Sequence, residues 1–147
     1  MFIFVVSSGF SQNFNTDWPN LNKYKNSNIE VLSRPKTNKR IVLMGNSITE
    51  GWTNFYPEYF KNKDLINRGI SGQTTPQMLI RFKPDVIDLN PDIVVILAGI
   101  NDIAENTGPS SIKMITDNIT SMAKLAKSHN INVILSSILP AYDFPWR

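Results

Sequence analysis

Short runs of consecutive apolar residues recur along the chain, and each is followed by glycine or small polar residues. Ile41-Val42-Leu43-Met44 is continuous and of strand length, and Gly45-Asn46-Ser47 breaks it before a helical stretch from Ile48 to about Phe55. Leu65 to Arg68 is a second short strand, ended by Gly69-Ile70-Ser71-Gly72. Thr75 and Pro76 then open a helix, with Thr75 as its N-cap, and Pro84 is expected to break that helix into two pieces. Asp92 to Ala98 is apolar and β-branched after its first residue, the pattern of a parallel strand buried on both faces, and Gly99-Ile100-Asn101-Asp102 ends it. From Ser111 to about Ser128, the residues Ile112, Ile115, Ile119, Met122 and Leu125 recur every three or four positions, which predicts an amphipathic helix. Ile131 to Leu139 reads as the fourth strand. Strands alternating with helices predict a parallel sheet covered by helices, in the order 2-1-3-4 if the crossovers are right-handed.

Upstream, Asp17 to Tyr24 carries a cap, an early proline and apolar residues at Trp18, Leu21 and Tyr24, so a short helix is expected there, with a polar linker over Asn26 to Lys39. Residues 1–12 begin Met-Phe-Ile-Phe-Val-Val-Ser-Ser, too short to span a bilayer. They match the end of a signal peptide, which would make the protein secreted or periplasmic, and match equally a flexible or strand-like terminus. The chain thus divides into 1–12, a helix and linker over 13–39, and an α/β domain over 40–147.

Composition narrows the chemistry. With 147 residues, 41% apolar and 18% charged, the chain can bury one core and is not a disordered tail. Its net charge of +3 comes from scattered lysines and arginines rather than a stripe, which argues against a nucleic-acid partner. Zero cysteines exclude a thiol nucleophile and cysteine zinc sites, a single histidine argues against a histidine metal site, and no cofactor is expected.

In an open parallel sheet, functional residues gather beyond the C-terminal ends of the strands. Gly45-Asn46-Ser47, Gly69 to Gly72 and Gly99 to Asp102 all follow strands, so all three clusters share that edge. A serine opening a helix is ordinarily a cap, and glycine after a strand is ordinary turn chemistry. Three convergent clusters ask for more. Acyl transfer needs a nucleophile and donors aimed at a developing oxyanion, and a helix N-terminus supplies free N–H groups.

These blocks resemble the SGNH, or GDSL-like, acylhydrolases: Gly45-Asn46-Ser47-Ile48-Thr49 looks like the family's first block, Gly72 its second, and Gly99-Ile100-Asn101-Asp102 its third. The likeness runs from about Asn38 to the end. It implies a three-layer, flavodoxin-like α/β fold and ester hydrolysis with Ser47 as nucleophile. It further implies an oxyanion hole made by the Ser47 and Gly72 backbone N–H groups and the Asn101 amide. Tyr142, Asp143, Phe144 and Trp146, after the fourth strand, are expected on the same edge near the substrate, as is Asn46. The substrates implied are short acyl esters, including those on carbohydrate.

Two departures matter. Asn46 stands where the family usually has aspartate, and the Asp-x-x-His that supplies the family's base and its orienting carboxylate does not occur. His129 lies just before the fourth strand, at the far edge, about 20 Å from Ser47 for a six-residue strand. Asp102 or Asp143 could pair with Ser47 but lacks the histidine's match to neutral pH. The expectation is an incomplete domain lacking its last strand and helix, weak in activity by itself, with strands three and four bare on one face. The alternatives are a catalytically silent relative that binds an ester and, less well supported, a nucleotide-binding fold, since Gly-x-Gly-x-x-Gly and Gly-Lys-Ser/Thr are both absent from the first turn.

Overall fold

The computed structural model of the chain describes residues 17–36 and 39–145, so the apolar N-terminal run and Trp146 lie outside the described residues. Four parallel strands, β1 (Ile41–Gly45), β2 (Leu65–Gly69), β3 (Ile93–Leu97) and β4 (Asn132–Leu135), form one sheet in the order β2-β1-β3-β4. The expected strand order is therefore observed. Gly45 lies in register with both Gly69 and Leu97, so the turns that follow these three strands leave the sheet at one level.

Alternate residues along the strands face opposite layers. Val42, Met44, Val94 and Ile96 are buried against Met78 and Phe82 of α4 (Thr75–Asp85) and Met122 and Ala126 of α6 (Ile112–Ser128). Leu43, Val95 and Leu97 point the other way, toward Thr49 and Trp52 of α2 (Ser47–Phe55), and line a pocket of about 60 Å³ there. Gly69 explains how α2 settles so close to β2. A Cβ on it would stand 2.2 Å from the Glu50 backbone nitrogen, which cannot yield as a side-chain tip could.

Several boundaries depart from the sequence reading. The N-terminal helix, α1, spans Lys25–Ser33, within the expected linker, while residues 18–24 form turns with Asp17 accepting from the Leu21 and Asn22 N–H groups at 2.8 Å. Helix α1 has no apolar stripe and buries only Val31; tertiary bonds hold it instead. The buried Arg68 guanidinium stacks on the Tyr24 ring at 4.6 Å and donates to Asn28 and Ser27, and Asn28 donates to Asp85. Helix α4 has Thr74, not Thr75, as its cap, in a capping box with Gln77.

Pro84 does not split α4: the helix ends after it, at Asp85, and a 3₁₀ turn over Ile87–Leu89 follows. A proline so near the end removes one hydrogen bond, to the carbonyl of Ile80, a half-exposed residue where water can serve. Two four-residue helices, α3 (Pro57–Phe60) and α5 (Ile100–Ile103), are too short to show in the apolar pattern. Strand β4 is shorter than the apolar run, because Ser136 makes the last main-chain bond to β3 and residues 137–141 continue outside the sheet. Among the described residues, no helix is long and apolar enough to cross a membrane.

Candidate active site

Ser47 is the first residue of α2 and is exposed. The preceding residue, Asn46, is fully buried and caps the helix, its side-chain oxygen accepting from the Ile48 N–H at 3.1 Å while its carbonyl accepts from Glu50. Its other amide atom, Nδ2, has no partner among the described residues. A short polar cap thus fixes the turn, and the Ser47 N–H, at the first helical position, has no carbonyl one turn back to bond.

Gly72 lies in the loop after β2 with φ +76°, the left-handed region that a side chain rarely adopts. No heavy atom lies within 4 Å of where a Cβ would stand, so conformation rather than space calls for glycine, and the surroundings are open. Among the described residues, no acceptor takes either the Ser47 or the Gly72 backbone N–H.

Asn101 lies in α5 directly beyond β3. Its Nδ2 donates to the Gln73 carbonyl at 2.9 Å, which uses one amide hydrogen and leaves the second. Asp102, weighed above as a partner for Ser47, faces elsewhere. Its buried carboxylate accepts from the Thr75 N–H at 3.0 Å and the Thr75 hydroxyl at 2.5 Å, and Asn118 donates to that same hydroxyl. Burial pushes the Asp102 carboxyl above the usual range against these bonds.

The loops are stitched together. Glu50, one turn after Ser47, accepts from the Ser71 N–H at 2.7 Å and the Ser71 hydroxyl at 2.5 Å, and pairs with Lys23. Burial raises the Glu50 carboxyl, but Lys23 and Ser71 outweigh it, so the group titrates below the usual range. Asn106 donates to the Gly72 carbonyl at 3.2 Å. The sequence pattern does not single out Glu50 or Gln73, nor Arg81, whose guanidinium donates to the Gly45 carbonyl and the Gln73 side chain. Arg81 carried a usable signal, a charge at helical spacing from Met78 and Asp85 on the buried stripe of α4.

The remaining candidates are placed as follows. Tyr142 is fully exposed, Asp143 is exposed and accepts from the Phe144 N–H, and Phe144 is half-buried. His129 is exposed at the C-cap of α6, its Nδ1 2.9 Å from the Leu125 carbonyl oxygen. Asn132, three residues on, is in register with Ile93, so His129 sits where β3 begins and Ser47 where β1 ends. Four strand residues separate those levels by about 13 Å, far beyond hydrogen-bond reach. Among the described residues, there is no cluster of three histidine or acidic side chains able to hold a metal ion.

Comparison with known proteins adds three findings. The pattern of the GDSL-like Lipase/Acylhydrolase family matches residues 43–147. The crystal structure of a GDSL-like lipase from Bacteroides thetaiotaomicron superposes with TM-score 0.85 at 51% identity, covering 89% of this chain and 64% of that one. The Bacillus subtilis lipoprotein YqeF is 31% identical over 120 residues, and an arylesterase of Vibrio mimicus 30% over 116; each alignment takes in 70% of this chain. The aligned part is 49% and 56% of those two relatives, so the chain spans about half the length of the curated proteins it matches.

Proposed function

The chain belongs to the GDSL-like lipase/acylhydrolase family, and from that premise we propose that it is a serine ester hydrolase with Ser47 as nucleophile. The observation that carries the reading is the pair of unclaimed N–H groups at Ser47 and Gly72, with the Asn101 amide held on the same edge by Gln73. Ser47 Oγ attacks the ester carbonyl carbon and a C–O bond forms. The carbonyl π pair moves to oxygen, where the two N–H groups and the free Asn101 hydrogen stabilise it. Collapse expels the alcohol, which takes up the proton lost from Ser47, and water repeats the sequence on the acyl-enzyme.

That proton needs a base. His129 is at the other end of the strands and Asp102 is occupied by Thr75, so we assign the base and its orienting carboxylate to parts of the protein outside these 147 residues. Residues 1–147 by themselves are then weakly active, since removing the base of a well-studied serine protease lowers turnover about 10⁶-fold. The substrates we propose are short-chain acyl esters, including those carried on carbohydrate. The open surroundings of Gly72 leave room for an ester beside its N–H. Export is proposed as well, in keeping with the lipoprotein YqeF among the relatives.

The test is hydrolysis of 4-nitrophenyl acetate, butyrate and octanoate. Ser47→Ala should abolish turnover and Asn101→Ala lower it about 10²- to 10³-fold. Ester binding without Ser47-dependent turnover in the full-length protein would favour the silent binding relative, a reading supported by the absence of a base near Ser47 among the described residues.

A further inference from the structure

Arg81 stands in the middle of α4 and is completely buried. Removing a guanidinium from water is unfavourable unless its N–H groups find acceptors, and an apolar residue usually fills such a position with less penalty. Its partners show what the charge accomplishes. Nη1 donates to Asp85 at 3.0 Å, one turn on in the same helix, and that carboxylate neutralises it. The other two bonds leave the helix: Nη2 donates to the Gly45 carbonyl at 3.1 Å and Nε to the Gln73 side-chain oxygen at 2.5 Å.

Gly45 is the last residue of β1, two before Ser47, and Gln73 follows Gly72. The Gln73 carbonyl is also the group that holds the Asn101 amide. One planar cation therefore reaches the nucleophile turn, the Gly72 loop and, through a single residue, the third donor. Gln73 is itself buried, and its Nε2 donates to the Pro19 carbonyl at 2.7 Å, so it has little freedom to drift. A lysine would not reproduce this, because its three N–H groups radiate from one nitrogen, whereas the guanidinium presents donors from three nitrogens held in one plane.

We propose that Arg81, acting through Gln73, is a positioning residue that sets the spacing of the three oxyanion donors. The proposal rests on the serine-hydrolase reading for its catalytic consequence, while its geometric content stands apart. The competing account makes Arg81 only half of a buried ion pair with Asp85. Gln73→Leu separates the two, because it cuts the link to the loop together with the bond to Pro19 and leaves the Arg81 bonds to Asp85 and Gly45 in place, whereas Gln73→Glu loses the Pro19 bond alone. It also avoids Arg81→Met, which strands the Asp85 carboxylate and would jeopardise folding.

The experiment records the Gly72 N–H and Asn101 side-chain amide resonances of ¹⁵N-labelled full-length protein, together with 4-nitrophenyl acetate turnover, for the parent, Gln73→Leu, Gln73→Glu, Met122→Ala and Ser47→Ala. In Gln73→Leu, the Asn101 amide should shift and exchange faster with water. Turnover should fall about 10- to 100-fold in kcat with KM within twofold, the effect of donors displaced by a fraction of an ångström. Gln73→Glu keeps an acceptor for Arg81 and should restore most of both. Met122→Ala opens a cavity in the core without removing any of these bonds, and should lower the melting temperature while leaving the Asn101 resonances and kcat at parent values. Parent-like Asn101 resonances in Gln73→Leu, or an equal kcat loss in Met122→Ala, would overturn the proposal. Parent-like turnover in Ser47→Ala would instead sink the serine reading, with the Asn101 resonances still reporting on Arg81.

Discussion

The two faces of the sheet are unequal. On the α4 and α6 face, Val42, Met44, Val94, Phe82 and Met122 have no solvent exposure. On the α2 face, Leu43, Val95 and Leu97 are only partly covered, and Ile134 at the β4 end is 51% exposed. The candidate site spans both. Its proposed nucleophile opens the helix of the thin face, whereas Gln73, Thr75 and Arg81, which hold the side of the proposed oxyanion donors, belong to α4 and its approach on the thick face. The buried bonds to Gln73 and Asp102 therefore come from the side away from that helix. The two are tied by the Arg81 bond to Gly45 and by the Glu50 bonds to Ser71.

The largest effect should come from the thick face. Phe82→Ala removes a fully buried ring from the middle of the core and should destabilise by about 3–5 kcal/mol, read as a loss in chemical-denaturation midpoint. A loss under about 1 kcal/mol would mean that this face can collapse around a cavity, and the comparison would lose its basis.

A smaller effect probes the tie between the faces. Glu50 titrates below its ordinary range, so in the folded state it prefers to be ionised. Its contribution is present above the carboxylate's unfolded pKa and is lost as pH falls through the lower folded value. Glu50→Gln should thus be less stable than the parent at neutral pH, by under about 1 kcal/mol since the group is partly exposed. The two melting curves should converge as the solution is acidified into the carboxylate range. A constant gap across that range would show that the Lys23 and Ser71 bonds do not depend on the charge. Asp102 works in the opposite sense, since its raised pKa favours the protonated form at low pH, so the convergence has to be read as a difference between variants.

How legible this was varies with the physics of each element. Strands β1 and β3 and helix α6 carry continuous or helical apolar patterns that burial makes explicit, and they appear where the pattern puts them. The alignment of three polar turns on one edge followed from the parallel order, because successive parallel strands must end on the same side. Helix α1 was illegible, since Lys25–Ser33 has no stripe and its stability comes from Arg68 and Asp85, more than thirty residues away in sequence. The supports of the site were hidden for the same reason. Gln73 and Arg81 act through partners that only the folded chain brings together, and Asp102 reads as part of a motif until Thr75 is seen to occupy it.

The smallest expected effect tests the thin face most directly. Ile134 lies on β4 in register with Val95, on the side that α2 covers, and half of its surface meets solvent among the described residues. Ile134→Thr keeps the β-branched shape that suits a strand and removes apolar area already in contact with water. Stability should therefore change by no more than about 0.5 kcal/mol. A loss of about 2 kcal/mol or more at Ile134 would mean that its side chain is buried in solution. Repeating the melt over a hundredfold range of protein concentration then identifies the cover. A melting temperature that rises with concentration would assign it to a second copy. One that stays fixed while Ile134→Thr is costly would assign it to the chain itself, and the two faces would be less unequal than their exposures imply.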